Sequence, residues 1–592
     1  MMGINSRIAI AVFFTGFLLR LLIASDIWGA HELSMSTYLL AIGIGIFHDS
    51  LVVILITSIL YVASRVFPRS MGFLVFLFCF LLALEFIADL FFWWEFESRL
   101  NRLVFHYLLF PEEVLVFLEE QFFISLLLFP FLVLVYGIFR LVWKEPKSFK
   151  IHRTGASLLI VSSVVILFSF QPISFSESRK INVMASNGWL SLLHDAVTNE
   201  KRWHGRYWNP PPYKNDSPNI VLGEKKNDSR LENIRHVVLI IEESFGGKVW
   251  KNLELREKYL PNFSRLMEQG LYFSNLYATG SRTTRGLESI LNGFPPLPGI
   301  SVTQRDGYHK LPSLPRALSK NGFHNIFVYG GWPNFSNFSS YWEALGFDEQ
   351  TSREDFTNTE FETSWGVADE ELFAKIRTEM GRLTDQNERV FLTALTVSYH
   401  RPFDIPEGKI GFPANSRQPE YALAYADWAL GNFFSNSWND AWFRDTLFIV
   451  VADHGPNIEG DTPIPIEGFR VPMVLYSPEH IVPGSISQVG STMSIGVTLL
   501  GLLGIENDEG LYGDNLINAP YGIVPVEHDY HVGLISNDGL TVLHRNGHVS
   551  SWERLNGNAS RMATDYQQAA KTSKIFGQAH DWFYSEDAGK ER

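Results

Sequence analysis

The pattern of hydrophobic positions divides the chain into an apolar first part and a more polar remainder. Long apolar runs dominate residues 1–171, at 7–27, 38–63, 71–94, 121–143 and 154–171. A helix needs about 20 apolar residues to cross a hydrocarbon core of about 30 Å, and each run comes close to that length. The pattern therefore predicts an N-terminal α-helical bundle with five transmembrane spans.

The basic residues of the connecting loops predict an orientation. Arg65 and Arg69 lie in the 64–70 loop, and the 140–153 loop carries a further basic group, namely Arg140, Lys144, Lys147, Lys150 and Arg153. Basic loops stay in the cytoplasm, so the amino terminus is expected there too. An odd number of spans then places everything after residue 172 outside the cytoplasm. Residues 172–231 are predicted to form a juxtamembrane helix, with 187–194 along the membrane interface, and a proline-rich linker over 209–218.

Several ionisable residues fall within the predicted spans, among them Arg20, His48, Asp49, Glu85 and Asp89. Charged groups are costly in hydrocarbon and usually face the interior of a bundle, where they find partners. Glu85 and Asp89 are four residues apart and share a helix face, so we expect them to pair with Arg20. A polar path for a lipid headgroup is the alternative.

From residue 232 onward, short apolar runs alternate with helical patterns. Strands are predicted at 236–241, 325–330, 391–398, 446–452 and 472–477, and helices at 261–269, 313–321, 369–380 and 420–435. Alternation of this kind indicates an α/β domain, here 232–592, with a largely parallel central sheet covered by helices.

Candidate site residues, the metal ligands Glu243, Asp453 and His454 among them, follow three of the predicted strands. Glu243 follows the first, His400 the third, and Asp453 with His454 the fourth. In open α/β sheets the carboxyl ends of parallel strands meet at one edge, where ligands bind. Carboxylate oxygens and an imidazole nitrogen suit Mn²⁺ or Zn²⁺ better than a soft metal. The sequence thus predicts one cation site at this edge.

A threonine-rich turn, Thr279-Gly-Ser-Arg-Thr-Thr-Arg-Gly-Leu-Glu288, lies between the ligand-bearing strands. Thr283 or Thr284 could complete the cation site, and a bound cation would activate the hydroxyl as a nucleophile. Arg282 and Arg285 would favour an anionic phosphoryl oxygen. The structural alternative is a helix start capped by a threonine, with Glu288 in its early turns.

Composition excludes several classes of protein. The formal net charge of −14 over 592 residues argues against a nucleic-acid partner, which requires a basic face. Cys79 is the only cysteine, so no intrachain disulfide can form. No feature of the sequence specifies the oligomeric state.

The order of four motifs, Glu-Ser-Phe at 243–245, Arg-Thr-Thr-Arg-Gly-Leu-Glu at 282–288, Ser-Tyr-His-Arg-Pro-Phe at 398–403 and Ala-Asp-His-Gly at 452–455, resembles the lipoteichoic acid synthase-like phosphotransferases. This family belongs to the alkaline phosphatase and sulfatase superfamily, and its members share a layout of five spans. The resemblance implies a sulfatase-like catalytic domain outside the bacterial cytoplasmic (inner) membrane.

The resemblance also implies an activity and its residues. A glycerophosphoryl group would pass from phosphatidylglycerol to a threonine, with release of diacylglycerol, and then to a glycan or a polyglycerolphosphate acceptor. By position, Glu243, Asp453 and His454 match Mn²⁺ ligands (Mg²⁺ or Zn²⁺ being possible), and Thr283 matches the nucleophile and fourth ligand. His400 matches a histidine at the headgroup or leaving group, and Trp365 a headgroup contact. Because two threonines are adjacent here, a shift of one residue would select Thr284.

Other activities fit less well. A sulfatase would require Cys or Ser in a Cys/Ser-x-Pro-x-Arg context, and the threonine turn has no proline. Phosphoethanolamine transferases usually carry disulfides in the outer domain, which this chain cannot form. A two-metal phosphodiesterase would need further ligands, and His528 and His531 are expected instead in a surface segment. A catalytically silent sensor of lipid headgroups is the remaining alternative, but it would not need the full ligand set.

Overall fold

A computed structural model of the chain describes residues 4–28, 34–101, 104–105, 119, 124–143, 153–170, 173, 175–176, 178–197, 231, 234–333, 335–456, 462–518, 522–529, 531–544, 547–555 and 558–585. The chain forms two compact units, Met1–Arg202 and Trp203–Arg592. The predicted linker at 209–218 lies outside the described residues.

The first unit is helical. Its helices are α1 (Ile4–Ile27), α2 (Met35–Val66), α3 (Met71–Phe96), α4 (Ile124–Val142), α5 (Arg153–Ser169), α6 (Arg179–Ala185) and α7 (Gly188–Val197). Within the described residues, three segments are long and apolar enough to cross a membrane: Ser6–Ile27, Met35–Val66 and Pro68–Trp94. The apolar parts of α4 and α5, Phe129–Val142 and Gly155–Leu167, are shorter. The helices indicate an integral membrane protein, but the predicted count of five spans is not confirmed.

The buried charges of this unit pair differently from the prediction. Arg20 donates to Asp49 rather than to Glu85 or Asp89, with Nη1 2.7 Å from Oδ2. Asp89 instead accepts from Arg99, whose Nε lies 2.9 Å from Oδ2. The expected pairing of Arg20 with the two acids of α3 is therefore wrong, because a carboxylate on α2 lies closer.

The second unit is an α/β domain followed by a small β-sheet. Its helices are α8 (Gly247–Lys251), α9 (Leu253–Tyr259), α10 (Pro261–Gln269), α11 (Thr283–Asn292), α12 (Leu314–Ser319), α13 (Phe338–Leu345), α14 (Asp369–Asp385), α15 (Pro419–Ser437), α16 (Ile495–Leu502) and α17 (Tyr566–Tyr584). The strands of its main sheet are β1 (His236–Glu242), β2 (Leu271–Tyr277), β3 (Phe323–Tyr329), β4 (Glu349–Thr351), β7 (Arg389–Leu395), β8 (Thr446–Ala452), β9 (Arg470–Tyr476), β10 (Gly484–Ile486) and β11 (Gly490–Ser491). A two-stranded ribbon pairs β5 (Glu362–Thr363) with β6 (Gly366–Val367).

The main sheet has the order β10-β2-β9-β8-β1-β7-β3-β4, with β11 beside β2. The strands β8, β1, β7, β3 and β4 are parallel, and β9 pairs antiparallel with both β8 and β2. Every residue of β1 and β8 is buried, so both faces of the sheet are covered, as continuous Val and Ile runs predict. All five predicted strands and all four predicted helices are present, with small shifts at their ends.

The sequence did not predict the second sheet. Five antiparallel strands, β12 (Ile523–His528), β13 (His531–Ser536), β14 (Gly539–Leu543), β15 (Val549–Leu555) and β16 (Asn558–Met562), form it in chain order. Helix α17 packs against β13 and β14, where Phe576 joins a buried cluster with Val532 and Leu543. His528 lies on β12 and is buried, so its predicted place in a surface segment is wrong.

Candidate active site

Two neighbouring parallel strands deliver the candidate ligands to one edge of the main sheet. Glu243 directly follows β1, and Asp453 and His454 directly follow β8, which pairs with β1 along its full length. One ligand atom from each residue lies within 4.8 Å of the other two, and all three side chains are buried. The fold therefore brings together residues that are about two hundred positions apart in the sequence.

Asp453 divides its two oxygens between structure and the centre of the cluster. Its Oδ1 accepts the backbone N–H groups of Ser244 and His454, each at 2.8 Å. Its Oδ2 is buried and accepts no hydrogen bond from the part of the chain that the structure describes. A buried carboxylate oxygen without a donor is costly, and a bound cation would satisfy it.

His454 presents its second ring nitrogen to the same centre. Its Nδ1 lies 2.7 Å from the carbonyl oxygen of Gly455, which can only accept, so Nδ1 carries a hydrogen. Nε2 then faces the cluster, 3.3 Å from Asp453 Oδ2 and 3.5 Å from Glu243 Oε1. In the neutral ring Nε2 holds a lone pair, as a metal ligand requires.

The pKa values of the cluster reflect two carboxylates buried together. Burial, and next the charge of Glu243, raise the pKa of Asp453 to about 7. Burial acts to lower the pKa of His454, but Asp453 and Glu243 raise it to about 9. Burial acts to raise the pKa of Glu243, yet His400 and His454 hold it well below its usual value. The raised pKa values mean that protons offset part of the negative charge of the cluster, and a divalent cation would offset that charge instead.

Thr283 is the first residue of α11 and touches the cluster directly. Its hydroxyl donates to Glu243 Oε2 over 2.9 Å, and the side chain is only partly buried. The N-cap residue of α11 is Arg282, with no side-chain capping bond. The hydroxyl therefore bonds to the candidate ligand and does not cap the helix as the structural alternative supposed.

The two arginines of the turn have different surroundings. Arg282 is partly exposed. Arg285 is buried, with Nη1 3.1 Å from Glu288 Oε2 and Nη2 bonded to the backbone carbonyls of Leu297 and Gly299. These structural bonds argue against the substrate contact expected for Arg285.

His400 and Trp365 form a stacked pair beside Glu243. Their ring centroids are 4.0 Å apart with an interplanar angle of 12°. The indole Nε1 of Trp365 donates to the carbonyl of Arg401 over 2.8 Å, which fixes the ring on the same turn. His400 Nε2 lies 3.5 Å from Glu243 Oε1 and remains partly exposed. The imidazole is thus held between the cluster and solvent.

Comparison with known proteins identifies the domain. Residues 235–505 match the family described as Sulfatase, and these residues contain the whole cluster. Residues 235–505 therefore form a sulfatase-like domain. A crystal structure of a protein of the alkaline phosphatase superfamily from Vibrio parahaemolyticus is 28% identical, with a TM-score of 0.56, and the match covers 65% of this chain and 96% of that one.

Relatives of the sulfatase domain include two kinds of transferase. Lipoteichoic acid synthase 2 of Bacillus subtilis is 25% identical over 331 residues, which is 52% of this chain and 50% of the relative. Phosphoglycerol transferase I of Salmonella arizonae is 24% identical over 261 residues, or 41% of this chain and 34% of the relative. The lipoteichoic acid synthase LtaP of Listeria monocytogenes has the same fold, with 20% identity, a TM-score of 0.53, and coverage of 65% of this chain and 97% of that one. The chain thus spans about half or less of the curated relatives' length.

Sequence reasoning missed one residue of the sulfatase domain that touches the cluster. Ser244 donates from Oγ to Glu243 Oε1 over 2.7 Å and from its backbone N–H to Asp453. Its φ of +52° is uncommon for a residue with a side chain, and such outliers concentrate at functional sites. The Glu-Ser-Phe motif marked the position, but only the fold shows that this turn joins the two carboxylates.

Proposed function

We propose that the chain is a divalent-cation-dependent phosphoglycerol transferase of the bacterial inner membrane. It would move a glycerophosphoryl headgroup from phosphatidylglycerol, through Thr283, to an extracytoplasmic glycan or polyglycerolphosphate acceptor, and release diacylglycerol. The relatives named as a lipoteichoic acid synthase and a phosphoglycerol transferase support the substrate class.

The observation that carries the proposal is the bond from the Thr283 hydroxyl to Glu243 at the start of α11. A hydroxyl is a weak nucleophile unless its surroundings activate it. Thr283 sits at a helix N-terminus, where backbone N–H groups favour a developing negative charge. Thr284 has no bond to the cluster among the described contacts, so the geometry favours Thr283 as the nucleophile.

The residues present fit a divalent cation. Glu243, Asp453 and His454 would hold it, and the Thr283 hydroxyl lies where it could complete the set. Carboxylate, imidazole and hydroxyl donors suit Mn²⁺, the ion we propose. Such a cation would lower the pKa of the Thr283 hydroxyl and neutralise charge on the phosphoryl oxygens.

His400 accounts for the proton transfers at the two exchanging oxygens. The Thr283 hydroxyl would lose its proton to solvent when the cation binds; its oxygen then forms a bond to phosphorus, the bond from phosphorus to the diacylglycerol oxygen breaks, and His400 gives that oxygen a proton. In the second half, an acceptor hydroxyl gives its proton to His400 and attacks phosphorus, and the Thr283 oxygen leaves. Trp365 keeps the His400 ring in place, and the partly exposed Arg282 would bind a phosphoryl oxygen.

The experiment is incubation of the full-length protein with phosphatidylglycerol and Mn²⁺, followed by measurement of diacylglycerol and mass spectrometry of the protein. Wild type should release diacylglycerol and carry glycerophosphate on Thr283 when no acceptor is added. Thr283→Ala should release none, Thr284→Ala should only be slower, and His400→Ala should retain the metal but lose rate. Continued release by a Thr283→Ala, Thr284→Ala double variant would exclude the covalent mechanism.

Two further arms test the surroundings of the reaction. The basic loops predict that residue 232 lies outside the cytoplasm. A reporter enzyme that works only outside the cytoplasm should therefore be active when it is fused near residue 232. The wild-type protein should retain Mn²⁺, whereas a protein that bound no divalent cation and released no diacylglycerol would be the silent sensor. Identifying every molecule that gains phosphate in a membrane extract would name the acceptor.

A further inference from the structure

The segment that carries Trp365 ends in Asp369, a fully buried aspartate that the proposed reaction does not use. Asp369 is the first residue of α14 and is 0% exposed. Its Oδ1 accepts the backbone N–H groups of Val397 and Ser398, each at 3.0 Å. In return, its own backbone N–H donates to Ser398 Oγ over 2.9 Å. Asp369 and Ser398 therefore hold each other in a reciprocal pair of bonds.

This pair fixes the first half of the turn that presents His400. The backbone N–H of His400 donates over 3.2 Å to the carbonyl of Val397, the residue whose own N–H donates to the Asp369 carboxylate. Trp365 holds the second half through its bond to Arg401 and its stack on the imidazole. Trp365 and Asp369, four residues apart on one segment, thus contact the His400 turn at both ends and hold it in place.

The arrangement exceeds what a helix start requires. A serine or asparagine would cap a helix at much lower cost than a buried carboxylate. Asp369 instead uses its oxygen to bind two N–H groups of a different segment, directly before the residue that must approach Glu243 to within 3.5 Å. Proton transfer depends steeply on such distances, because displacing a catalytic group by about 1 Å can cost about 100-fold in rate.

We propose that Asp369 is the positioning residue for His400, acting through the acceptor bonds that its Oδ1 makes to residues 397 and 398. The inference rests on the proposed function, since it assigns the reason why His400 can serve as acid and base there. The essential property is the acceptor oxygen, so asparagine should replace aspartate and alanine should not.

The test is a double-mutant cycle in the full-length protein with phosphatidylglycerol and Mn²⁺. Asp369→Ala should lower the rate constant for diacylglycerol release by about 10- to 100-fold, with the half-saturating donor concentration changed by less than about threefold. Asp369→Asn keeps an acceptor oxygen and should restore the rate to within about threefold of wild type. In the His400→Ala background, Asp369→Ala should lower the rate by no more than about twofold, because the group it positions is already gone.

Two results would overturn the inference. Equal losses from Asp369→Ala with and without His400 would mean that Asp369 acts on the fold and not through His400. An Asp369→Asn variant as slow as Asp369→Ala would mean that the charge, and not the acceptor bond, is what matters. Melting temperature and bound Mn²⁺, measured on every variant, identify any that fail to fold.

A second readout separates this inference from the proposed function. Acylation of His400 by diethyl pyrocarbonate, followed by peptide mass spectrometry, needs no lipid substrate. Asp369→Ala should speed this acylation at least about threefold by loosening the turn, and Asp369→Asn should not. If the wild-type protein released no diacylglycerol but the variants showed this acylation pattern, the transferase activity would be rejected and the positioning role of Asp369 would be supported. Unchanged acylation in Asp369→Ala would reject the positioning role.

Discussion

The close approach of α11 to the end of β8 makes Gly286 a sensitive small residue of the site. A Cβ at this position would lie 2.5 Å from Asp453 Cβ and 2.8 Å from the Asp453 carbonyl oxygen. Both neighbours belong to the main chain or are attached directly to it, so no flexible side chain can move aside. Gly286→Ala must therefore push the helix start and the metal-ligand turn apart.

The size of the displacement follows from ordinary contact distances. Carbon contacts normally begin at 3.4 Å, so the two segments must separate by 3.4 − 2.5 = 0.9 Å. Metal sites tolerate ligand errors of only about 0.2 Å, and overpacking of this kind costs about 1–3 kcal/mol of stability. Thr283 lies on the same helix turn and would move with it. We expect the dissociation constant for Mn²⁺ to rise at least about 10-fold and diacylglycerol release to fall about 100-fold.

Gly381 provides the matched control. It lies inside α14, and a Cβ there would meet nothing within 4 Å. Gly381→Ala should stabilise the protein by up to about 1 kcal/mol, because alanine favours the helix, and should leave Mn²⁺ affinity unchanged. Both variants are measured in full-length protein by equilibrium dialysis with Mn²⁺ and by melting temperature. Wild-type affinity, turnover and stability in Gly286→Ala would refute the steric argument.

Three further predictions concern groups outside the reaction centre. His236 accepts the N–H of Val390 at Nδ1, and burial, with two nearby arginines, lowers its pKa to about 4. Below pH 6.5 the unfolded chain therefore takes up a proton that the folded chain does not, and the free energy of unfolding should fall by about 2 kcal/mol between pH 7 and pH 5. Denaturant unfolding of wild type and His236→Asn at both pH values should show this loss in wild type only. Arg285→Met should cost about 3 kcal/mol by stranding a buried carboxylate, read as a lower melting temperature, and a variant with normal stability but no turnover would return Arg285 to the substrate site. Exchanging Arg20 and Asp49 should recover part of the folded yield that Asp49→Asn loses in detergent, and no recovery would mean that the pair does not act as a pair.

The strands of the main sheet were predictable because burial on both faces leaves a continuous apolar run. Thr446–Ala452 and His236–Glu242 are fully buried, and each is followed at once by an acidic residue at the sheet edge. The second sheet gave a weaker signal, since its antiparallel strands carry polar residues between apolar ones. One feature could have revealed it: Asp538-Gly539 separates two apolar runs, as in a β-hairpin, and β13 and β14 pair across it.

The site was predictable residue by residue only where position along a strand decides it. Glu243, Asp453 and His454 follow strands that must share an edge, and the structure places their ligand atoms together. The surroundings of Arg285 depend on the carbonyls of residues 297 and 299, and these lie on a loop whose path no local pattern predicts. For the same reason the sequence paired Arg20 with the acids four residues apart on α3, whereas tertiary packing put Asp49 closer.

Two buried aspartates of the sulfatase domain, Asp453 and Asp369, use their carboxylates in a similar way. They differ in their neighbours, and this difference distinguishes a metal ligand from a positioning residue. In Asp453 and in Asp369, Oδ1 accepts two backbone N–H groups and so shapes a turn, while Oδ2 accepts no hydrogen bond from the described residues. For Asp453 a ligand atom lies among those of Glu243 and His454, so a cation can repay the cost of burial. Asp369 belongs to no such group within the described residues, and burial raises its pKa to about 6 despite its two N–H donors. On the proposed assignments, the same local geometry would bind a metal at one turn and hold a histidine in place at another.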